Sequence, residues 1–337
     1  MKKRLLYIGN RLSNKRGTVT TIDSLSSLLR QEGHEVITAS KVENKALRLL
    51  DMLWQTFINR NKVALVLIDT YSTQNFYYAV GVAIICRVFK TPYIPILHGG
   101  NLPHRLKKNP KLSRKLFKGA KTNIAPSNYL LEAFKKEGYT NLTYLPNTIE
   151  IKNYHFKPRK VIRPKLLWVR SFAELYHPLL AIEIVEALEK KNIAVELCMV
   201  GPEKDGSLAK CKELAAQKNL PITFTGLLKK EAWIELSKDY DLFINTTHFD
   251  NTPVSVIEAM ALGLPVVSTN VGGLPYLIVH DKTGVLVPPN DVDVFVEAII
   301  DLLSDPEKTA VISRNARAAV ELFDWEVVKG EWDEVLS

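Results

Sequence analysis

The chain has 337 residues and a formal net charge of +9, with 46% hydrophobic and 24% charged residues. This composition is typical of a globular protein and excludes a disordered chain, and the length fits two domains better than a single core. Three scattered cysteines make neither a disulfide framework nor a Cys-x-x-Cys metal motif, which favours a reducing compartment.

The first half of the chain alternates strand-like and helix-like segments. The apolar run Leu5–Ile8 predicts a strand and is too short for the apolar core of a signal peptide. Residues 21–31 have helical spacing, and the runs 35–38, 63–68 and 92–97 predict further strands. This order predicts a parallel sheet with helices on both faces.

The same alternation of strand-like and helix-like segments begins again in the second half. Residues 165–169 predict a strand, 178–190 a helix and 194–200 a strand, and three more apolar runs follow at 222–224, 242–244 and 265–267. The proline- and lysine-containing stretch 150–164 lies between the halves and is predicted to be a linker. No apolar run reaches the roughly 20 residues that a membrane-spanning helix needs.

The most informative segment runs from Asn245 to Pro289. A polar loop leads to Thr252-Pro253, and proline is favoured at the start of a helix, here predicted over 254–262. The first turn of such a helix presents unpaired backbone N–H groups and the positive end of the helix dipole, which together form an anion site. Glu258 lies one turn inside, within reach of sugar hydroxyl groups beside a bound phosphate.

This segment resembles the donor-site signature of family 4 glycosyltransferases, whose GT-B fold is α/β, with two doubly wound Rossmann-like domains facing across a cleft. The family pattern is an acid, seven residues, a glutamate and then AMAxGxPVV; here it is Asp250, Glu258 and AMALGLPVV. The resemblance implies that Glu258 binds the donor ribose and that Asp250, where glutamate is commoner, contacts the transferred sugar. It also implies that the backbone of one turn holds the diphosphate, namely Thr252, Pro253, Val254 and Ser255.

Arg170 follows the predicted strand 165–169, where the family has a phosphate-binding arginine. The family usually has a lysine five positions later, and this chain has Leu175 instead. A diphosphate needs cationic partners. We therefore expect Lys204 or Lys229, each after a later strand, to replace it; the alternative is that both are solvated surface lysines.

Two features of the first half are also candidates. Gly17 lies in the first loop, which in this fold reaches the donor diphosphate or the acceptor; the alternative is a tight strand-to-helix connection. His98 precedes Gly99-Gly100 at a strand end, and resembling enzymes suggest that it contacts the transferred sugar; the alternative is a buried structural histidine. The predicted catalytic residues are thus Asp250, Glu258, Arg170 and His98.

No cofactor or metal is expected. Asp291-Val292-Asp293 matches the Asp-x-Asp metal motif of a different transferase fold, but acids in the first turn of a helix are explained by the helix dipole. No histidine and cysteine cluster has the spacing of metal ligands.

The positive charge is concentrated in the first half. Residues 1–160 hold 28 Lys/Arg and 9 Asp/Glu, a net of +19, while the remainder has a net of −10. The densest basic stretch is 105–121, for which we expect attachment to an anionic membrane surface; the alternative is a solvated helix face. A nucleic-acid partner is not expected, because no reading motif with interleaved aromatic residues is present.

These patterns predict an acceptor-binding domain over 1–155, a donor-binding domain over 160–318 and a C-terminal helix over 319–337 that returns to the first domain. The predicted activity is retaining transfer from a nucleotide-sugar, with UDP-sugars favoured, to a glycan or lipid-linked acceptor in bacterial surface polysaccharide synthesis. A cytoplasmic location, peripheral to the inner face of the membrane, is expected. The open alternatives are a non-catalytic sugar-nucleotide binder and a nucleotide-sugar epimerase.

Overall fold

The computed structural model describes residues 2–11 and 20–337, and the chain divides into two units. Unit 1 comprises Met1–Pro146 with Val328–Ser337, and unit 2 comprises Asn147–Val327. Gly17, predicted to lie in the donor site, falls outside the described residues.

Unit 1 is a parallel sheet covered by helices. Within its described part six strands pair in the order β2-β1-β3-β4-β5-β6. The strands are β1 (Arg4–Ile8), β2 (Glu35–Ala39), β3 (Leu65–Thr70), β4 (Tyr93–Leu97), β5 (Asn123–Ala125) and β6 (Leu142–Tyr144). The helices are α1 (Thr21–Gln31), α2 (Lys45–Asn59), α3 (Asn75–Val88), α4 (Leu102–Lys108), α5 (Pro110–Phe117) and α6 (Asn128–Lys136).

Unit 2 repeats this architecture, with the strand order β12-β11-β10-β7-β8-β9. Its strands are β7 (Lys165–Val169), β8 (Glu196–Val200), β9 (Ile222–Gly226), β10 (Leu242–Asn245), β11 (Val266–Thr269) and β12 (Val285–Val287). Its helices are α7 (Pro178–Lys190), α8 (Ser207–Gln217), α9 (Lys230–Leu236), α10 (Val254–Ala261), α11 (Leu274–Leu277), α12 (Val292–Ser304), α13 (Pro306–Glu321) and the start of α14 (Trp325–Leu336).

Every strand pair in both sheets is parallel, which confirms the predicted doubly wound α/β class. Parallel strands buried on both faces need continuous apolar runs, and β3 is buried along its whole length, as is β4. Ligand-binding loops are therefore expected at the carboxyl ends of the strands, including the loop after β10.

The segment 150–164, which the sequence pattern indicates as a linker, packs within unit 2. Tyr154 is 2% exposed and Arg159 is 6% exposed. Arg159 donates to the carbonyl oxygens of Tyr240 at 3.0 Å and Gly263 at 2.8 Å. Among residues 2–11 and 20–337, no helix combines the length and apolar character needed to cross a membrane.

Candidate donor site in unit 2

The turn that enters α10 presents free hydrogen-bond donors. Pro253 is the N-cap of α10, and no side chain caps the helix. Within the described chain, the backbone N–H groups of Val254 and Ser255 have no acceptor, and the buried Ser255 hydroxyl group has no partner. The first turn of a helix is where an anion gains most from such donors. Thr252 is buried beside it, and its carbonyl oxygen accepts from Asn147 Nδ2 at 3.1 Å.

Two glycines hold the loop before α10 close to the next connection. Gly272 has φ +56°, and a Cβ atom there would lie 2.1 Å from the carbonyl oxygen of Asp250. A Cβ atom on Gly273 would lie 1.9 Å from the carbonyl oxygen of Asn251. The backbone N–H of Gly273 donates to the Asp250 carbonyl oxygen at 2.9 Å. Only glycine permits this approach, which fixes the position of Asp250.

Glu258 is buried on α10, and two side chains fix its carboxylate. The Tyr154 hydroxyl group donates to Oε1 at 2.6 Å, and Lys230 Nζ lies 2.8 Å from the same oxygen. Burial first, and then the Glu258 charge, raise the pKa of Tyr154 well above its usual range, so the phenol remains a donor. Both contacts are to Oε1, and within the described residues Oε2 has no hydrogen-bond partner.

Arg170 and Asp250 form an ion pair between the end of β7 and the loop after β10. Their side chains are 12% and 16% exposed, and the Arg170 guanidinium lies 4.3 Å from the centroid of the Tyr176 ring. Burial lowers the pKa of Arg170, because a desolvated guanidinium is disfavoured in its charged form. A buried cation of this kind needs an anionic partner.

Lys204 and Lys229 are the residues predicted to replace the family lysine. Among the described residues, neither side chain forms an ion pair with Asp250 or Glu258. Lys204 and Lys229 are both exposed, and Lys229 is the N-cap of α9. The cation that contacts the site is Lys230, one residue further on. Leu175, at the family lysine position, instead uses its carbonyl oxygen to accept from His248 N at 2.9 Å and Thr247 Oγ1 at 3.1 Å.

Lys230 and Tyr154 are the residues that sequence reasoning missed. Tyr154 is one of two aromatic residues, with Phe156, in the proline- and lysine-containing stretch 150–164, which is a weak signal of burial. Lys230 follows Lys229 directly, and residue spacing cannot say which of two adjacent lysines points inward.

His98 belongs to unit 1, where it forms a buried cluster with Asp69. His98 Nε2 lies 2.9 Å from Asp69 Oδ1, and the Tyr7 hydroxyl group donates to the same oxygen at 2.7 Å. The side chains of His98 and Asp69 are 8% and 2% exposed. Burial, followed by the Asp69 charge, raises the pKa of Tyr7 well above its usual range. The Asp69 carboxylate therefore orients the His98 ring.

Two further predicted segments have clear local roles. Asp291 is the N-cap of α12 and accepts from the backbone N–H of Val294 at 3.1 Å. In the basic stretch 105–121, Arg105 packs inward and donates to the Ser72 carbonyl oxygen at 2.9 Å. The other seven cations are exposed, namely Lys107, Lys108, Lys111, Arg114, Lys115, Lys118 and Lys121.

Comparison with known proteins places the site in a family. Residues 150–319 match the model described as glycosyl transferases group 1. A sulfoquinovosyl transferase of Arabidopsis thaliana is 38% identical over 112 residues, 32% of this chain and 21% of that protein. An amylovoran biosynthesis glycosyltransferase of Erwinia amylovora is 26% identical over 201 residues, 53% of this chain and 49% of that protein. The alignments thus span less than half of each relative's length.

Solved structures extend the comparison to the whole chain. The crystal structure of HepE from Anabaena in complex with UDP and glucose matches with a TM-score of 0.78 at 19% identity, covering 99% of both chains. At this identity the likeness concerns the fold. Together with the two parallel sheets it confirms the predicted GT-B class.

Proposed function

Because the chain belongs to the group 1 glycosyltransferases, we propose that it transfers a sugar from a nucleoside diphosphate donor to a glycan or lipid-linked acceptor. One observation carries the proposal: Glu258, held by Tyr154 and Lys230, lies one turn inside a helix whose first N–H groups have no acceptor among the described residues. A nucleotide-sugar has ribose hydroxyl groups, whose hydrogen bonds a carboxylate can accept, and a diphosphate anion. The diphosphate needs a turn with free hydrogen-bond donors.

The diphosphate would lie at the start of α10. The N–H groups of Val254 and Ser255 would donate to its oxygens, and the Ser255 hydroxyl group is a third donor. The Arg170 guanidinium would exchange part of its contact with Asp250 for a phosphate oxygen. Charge-assisted hydrogen bonds of this type are the strong ones.

The ribose would bind at the Glu258 carboxylate. Tyr154 and Lys230 both occupy Oε1, so Oε2 is available to accept from a ribose hydroxyl group. Lys230 also neutralises the buried carboxylate, which otherwise would repel the nearby diphosphate. This arrangement supports a nucleotide with an intact ribose and does not select a base.

Catalysis would rest on stabilising the leaving group. As the bond between the sugar and the diphosphate breaks, negative charge grows on the departing phosphate oxygen. Arg170 and the α10 N–H groups would stabilise that charge, and no bound metal is part of the proposal. Asp250 would contact the transferred sugar, and the resemblance to family 4 implies the same role for His98. Retention of configuration, as in family 4, is part of the proposal.

The donor and the biological role are narrower proposals. UDP-sugars are favoured because HepE, of the same fold, was crystallised with UDP and glucose. Surface polysaccharide synthesis is favoured because a relative acts in amylovoran biosynthesis. The exposed cations of 105–121 suit an anionic membrane surface at the cytoplasmic face.

A two-step experiment tests the function. A thermal-shift screen of UDP, GDP and ADP with their sugars identifies the base, since ligands that bind the native state raise Tm. Release of the nucleoside diphosphate is then measured with and without a polysaccharide acceptor fraction. Glu258→Gln retains the shape of the site and should lower kcat/KM by about 10- to 100-fold. Glu183→Gln, at an exposed position of α7, is the matched control.

The results separate the alternatives. A donor that binds but is never consumed indicates a non-catalytic binder, and a new sugar epimer formed without acceptor indicates an epimerase. Unchanged turnover in Glu258→Gln would remove the assignment of the donor site.

A further inference from the structure

Helix α2 turns an apolar face to solvent. Leu47, Leu50 and Trp54 are 57%, 60% and 59% exposed, and Phe57 is 38% exposed. These positions are three and four residues apart, so they form one stripe along the helix. A helix on a globular core ordinarily buries such a stripe, and a contiguous exposed apolar patch marks an interaction surface.

The inner face of α2 mixes apolar and polar residues, and Leu49 and Leu53 pack against the core beside Met52. Arg48, Thr56 and Asn59 are buried beside Met52. Thr56 Oγ1 donates to the Met52 carbonyl oxygen at 2.7 Å, and Asn59 Nδ2 donates to the Gln55 carbonyl oxygen at 2.9 Å. Because this inner face already packs on the core, and Thr56 and Asn59 are hydrogen-bonded within the helix, the outer stripe stays exposed.

The neighbouring helix α3 extends the exposed surface. Its end carries Val88, 69% exposed, and Ile84 and Phe89 are exposed there as well. The rings of Phe57 and Phe89 meet edge to face with centroids 5.6 Å apart. The apolar stripe therefore comprises residues of both helices, namely Leu47, Leu50, Trp54, Phe57, Ile84, Val88 and Phe89.

Cations flank the apolar stripe. The Arg60 guanidinium lies 4.1 Å from the centroid of Phe57 and 4.6 Å from that of Phe89. Arg87 donates to the Lys115 carbonyl oxygen at 3.2 Å, so the end of α3 adjoins the basic helix α5. Close in sequence to the stripe residues lie four more exposed cations, Lys41, Lys45, Lys62 and Lys90, against the acids Glu43 and Asp51. Together with Arg60 and Arg87 they are the flanking cations.

We propose that the apolar stripe is a membrane-docking surface, with α2 lying in the plane of a bilayer that contains anionic lipid. Exposed leucine, tryptophan and phenylalanine side chains would enter the boundary between headgroups and acyl chains. The flanking cations would meet lipid phosphates, and the exposed cations of 105–121 would add attraction without insertion. The surface lies in unit 1, and its test is independent of transferase activity.

Charge favours a bilayer over a second copy of the chain. A twofold interface places the same patch against itself. The flanking cations of the two copies would then face each other, and like charges across an interface oppose association. An anionic lipid surface is complementary to both the apolar and the basic parts.

Trp54 gives a direct readout. The other four tryptophans, Trp168, Trp233, Trp325 and Trp332, are buried at 5% exposure or less. The full chain is mixed with vesicles of phosphatidylglycerol and phosphatidylcholine in equal parts, some carrying bromine on the acyl chains. We expect flotation with the vesicles, and quenching by brominated chains that comes from Trp54 because bromine acts at contact range.

Matched variants distinguish membrane binding by insertion of apolar side chains from binding by electrostatic attraction. Leu50→Ser with Trp54→Ser should weaken vesicle binding about tenfold or more, because two large apolar side chains no longer leave water. Val311→Ser with Leu322→Ser removes two exposed apolar residues of unit 2 and should leave binding unchanged. Trp54→Phe should retain binding and lose the quenching, which identifies Trp54 as the inserted residue.

Three outcomes would overturn the proposal. Vesicle binding without quenching, abolished by salt, would mean attachment through charge alone. A dimer in sedimentation experiments that Leu50→Ser disrupts, without vesicle binding, would make the stripe a contact between copies. Equal loss of binding in the control pair would remove the specific role of α2.

Discussion

The hydroxyl group of Tyr154 donates a 2.6 Å hydrogen bond to Oε1 of Glu258, 104 residues further along the chain. Burial and the Glu258 charge raise the pKa of Tyr154 well above its usual range. The phenol therefore stays protonated and remains a hydrogen-bond donor to Glu258. A residue outside the donor-site motif thus sets the orientation of the motif's glutamate.

Tyr154→Phe tests the importance of that orientation. The variant retains the buried ring and removes only the hydroxyl donor. We expect donor binding to weaken by roughly 1 kcal/mol, about fivefold, because the remaining contact from Lys230 holds the Glu258 carboxylate less firmly. Isothermal titration calorimetry with the donor measures the change. Tyr240→Phe, two residues before β10, is the control and should bind normally. Equal affinities for wild type and Tyr154→Phe would contradict the expected role.

Lys230 and Lys229 form a matched pair for the missing family lysine. Lys230→Met leaves Glu258 as a buried charge without a cation, so we expect weaker donor binding and a lower free energy of unfolding, by about 1–3 kcal/mol. Lys229→Met removes an exposed charge and should change either quantity by no more than about 0.5 kcal/mol. Calorimetry and denaturant unfolding measure both. A larger loss of donor binding in Lys229→Met than in Lys230→Met would instead assign the cationic role to Lys229, one of the two candidates from the sequence.

The ion pair between Arg170 and Asp250 predicts opposite effects on binding and turnover. Asp250→Asn removes the anion that competes with a diphosphate for the guanidinium. We expect it to bind UDP at least as tightly as the wild type but to lose most sugar transfer. Without ligand it should be less stable by about 3–5 kcal/mol, because breaking a buried pair leaves an uncompensated charge.

Arg170→Gln completes this comparison. It should lose UDP binding, because both the charge and the fork of donors are gone. Thermal shifts on adding UDP distinguish the two variants: large for Asp250→Asn and small for Arg170→Gln. If both variants lose the Tm increase on adding UDP equally, the ion pair serves only to stabilise the fold.

The fold could be predicted because each strand is encoded by a short, continuous apolar run in the sequence. Apolar runs such as Leu65–Thr70 are buried along their full length, so no side-chain alternation is needed to recognise them. The relative placement of Asp250, the α10 turn and Glu258 could be predicted for a similar reason. These residues lie within nine positions of each other, and their spacing on one loop and helix fixes their geometry.

The residues that contact Asp250 and Glu258 could not be predicted from the sequence. Arg170 meets Asp250, and Tyr154 meets Glu258, only when separate strands and loops pack together. Sequence spacing carries no information on such contacts. Helix α2 shows a related limit: Leu47, Leu50 and Trp54 have the spacing of a buried helix face and yet are exposed, so spacing alone does not show which face packs inward.

Gly272 should be required for a close backbone contact as well as for its positive φ. Gly272→Ala places a Cβ atom 2.1 Å from the Asp250 carbonyl oxygen, so the loop before α10 must move. We expect loss of UDP binding and destabilisation beyond the roughly 1–2 kcal/mol cost of a left-handed alanine. Gly206→Ala is the control: its φ is +91°, yet nothing lies within 4 Å of the added atom. Equal stability and normal UDP binding in both variants would show that the contact is dispensable.

His177 gives the protein a dependence of stability on pH. It adopts φ 44°, its ring stacks on His248 with centroids 4.1 Å apart, and its buried Nδ1 has no partner within the described residues. Burial, and then the charge of His248, lower the pKa of His177 below the usual 6.5. Between the two pKa values the unfolded chain binds more protons, so the free energy of unfolding falls as pH falls from 6.5 through the folded-state pKa.

His177→Asn should flatten that dependence, because asparagine tolerates the left-handed backbone and does not titrate. Tm is measured from about pH 7.5 to about pH 5 for the wild type and the variant. We expect the wild type to lose stability on acidification more steeply than His177→Asn, and His155→Asn, at an exposed site, to follow the wild type. Parallel curves for all three proteins would mean that the stacked pair accepts a proton in the folded state as readily as in the unfolded chain, and the acid sensitivity would then lie with other groups.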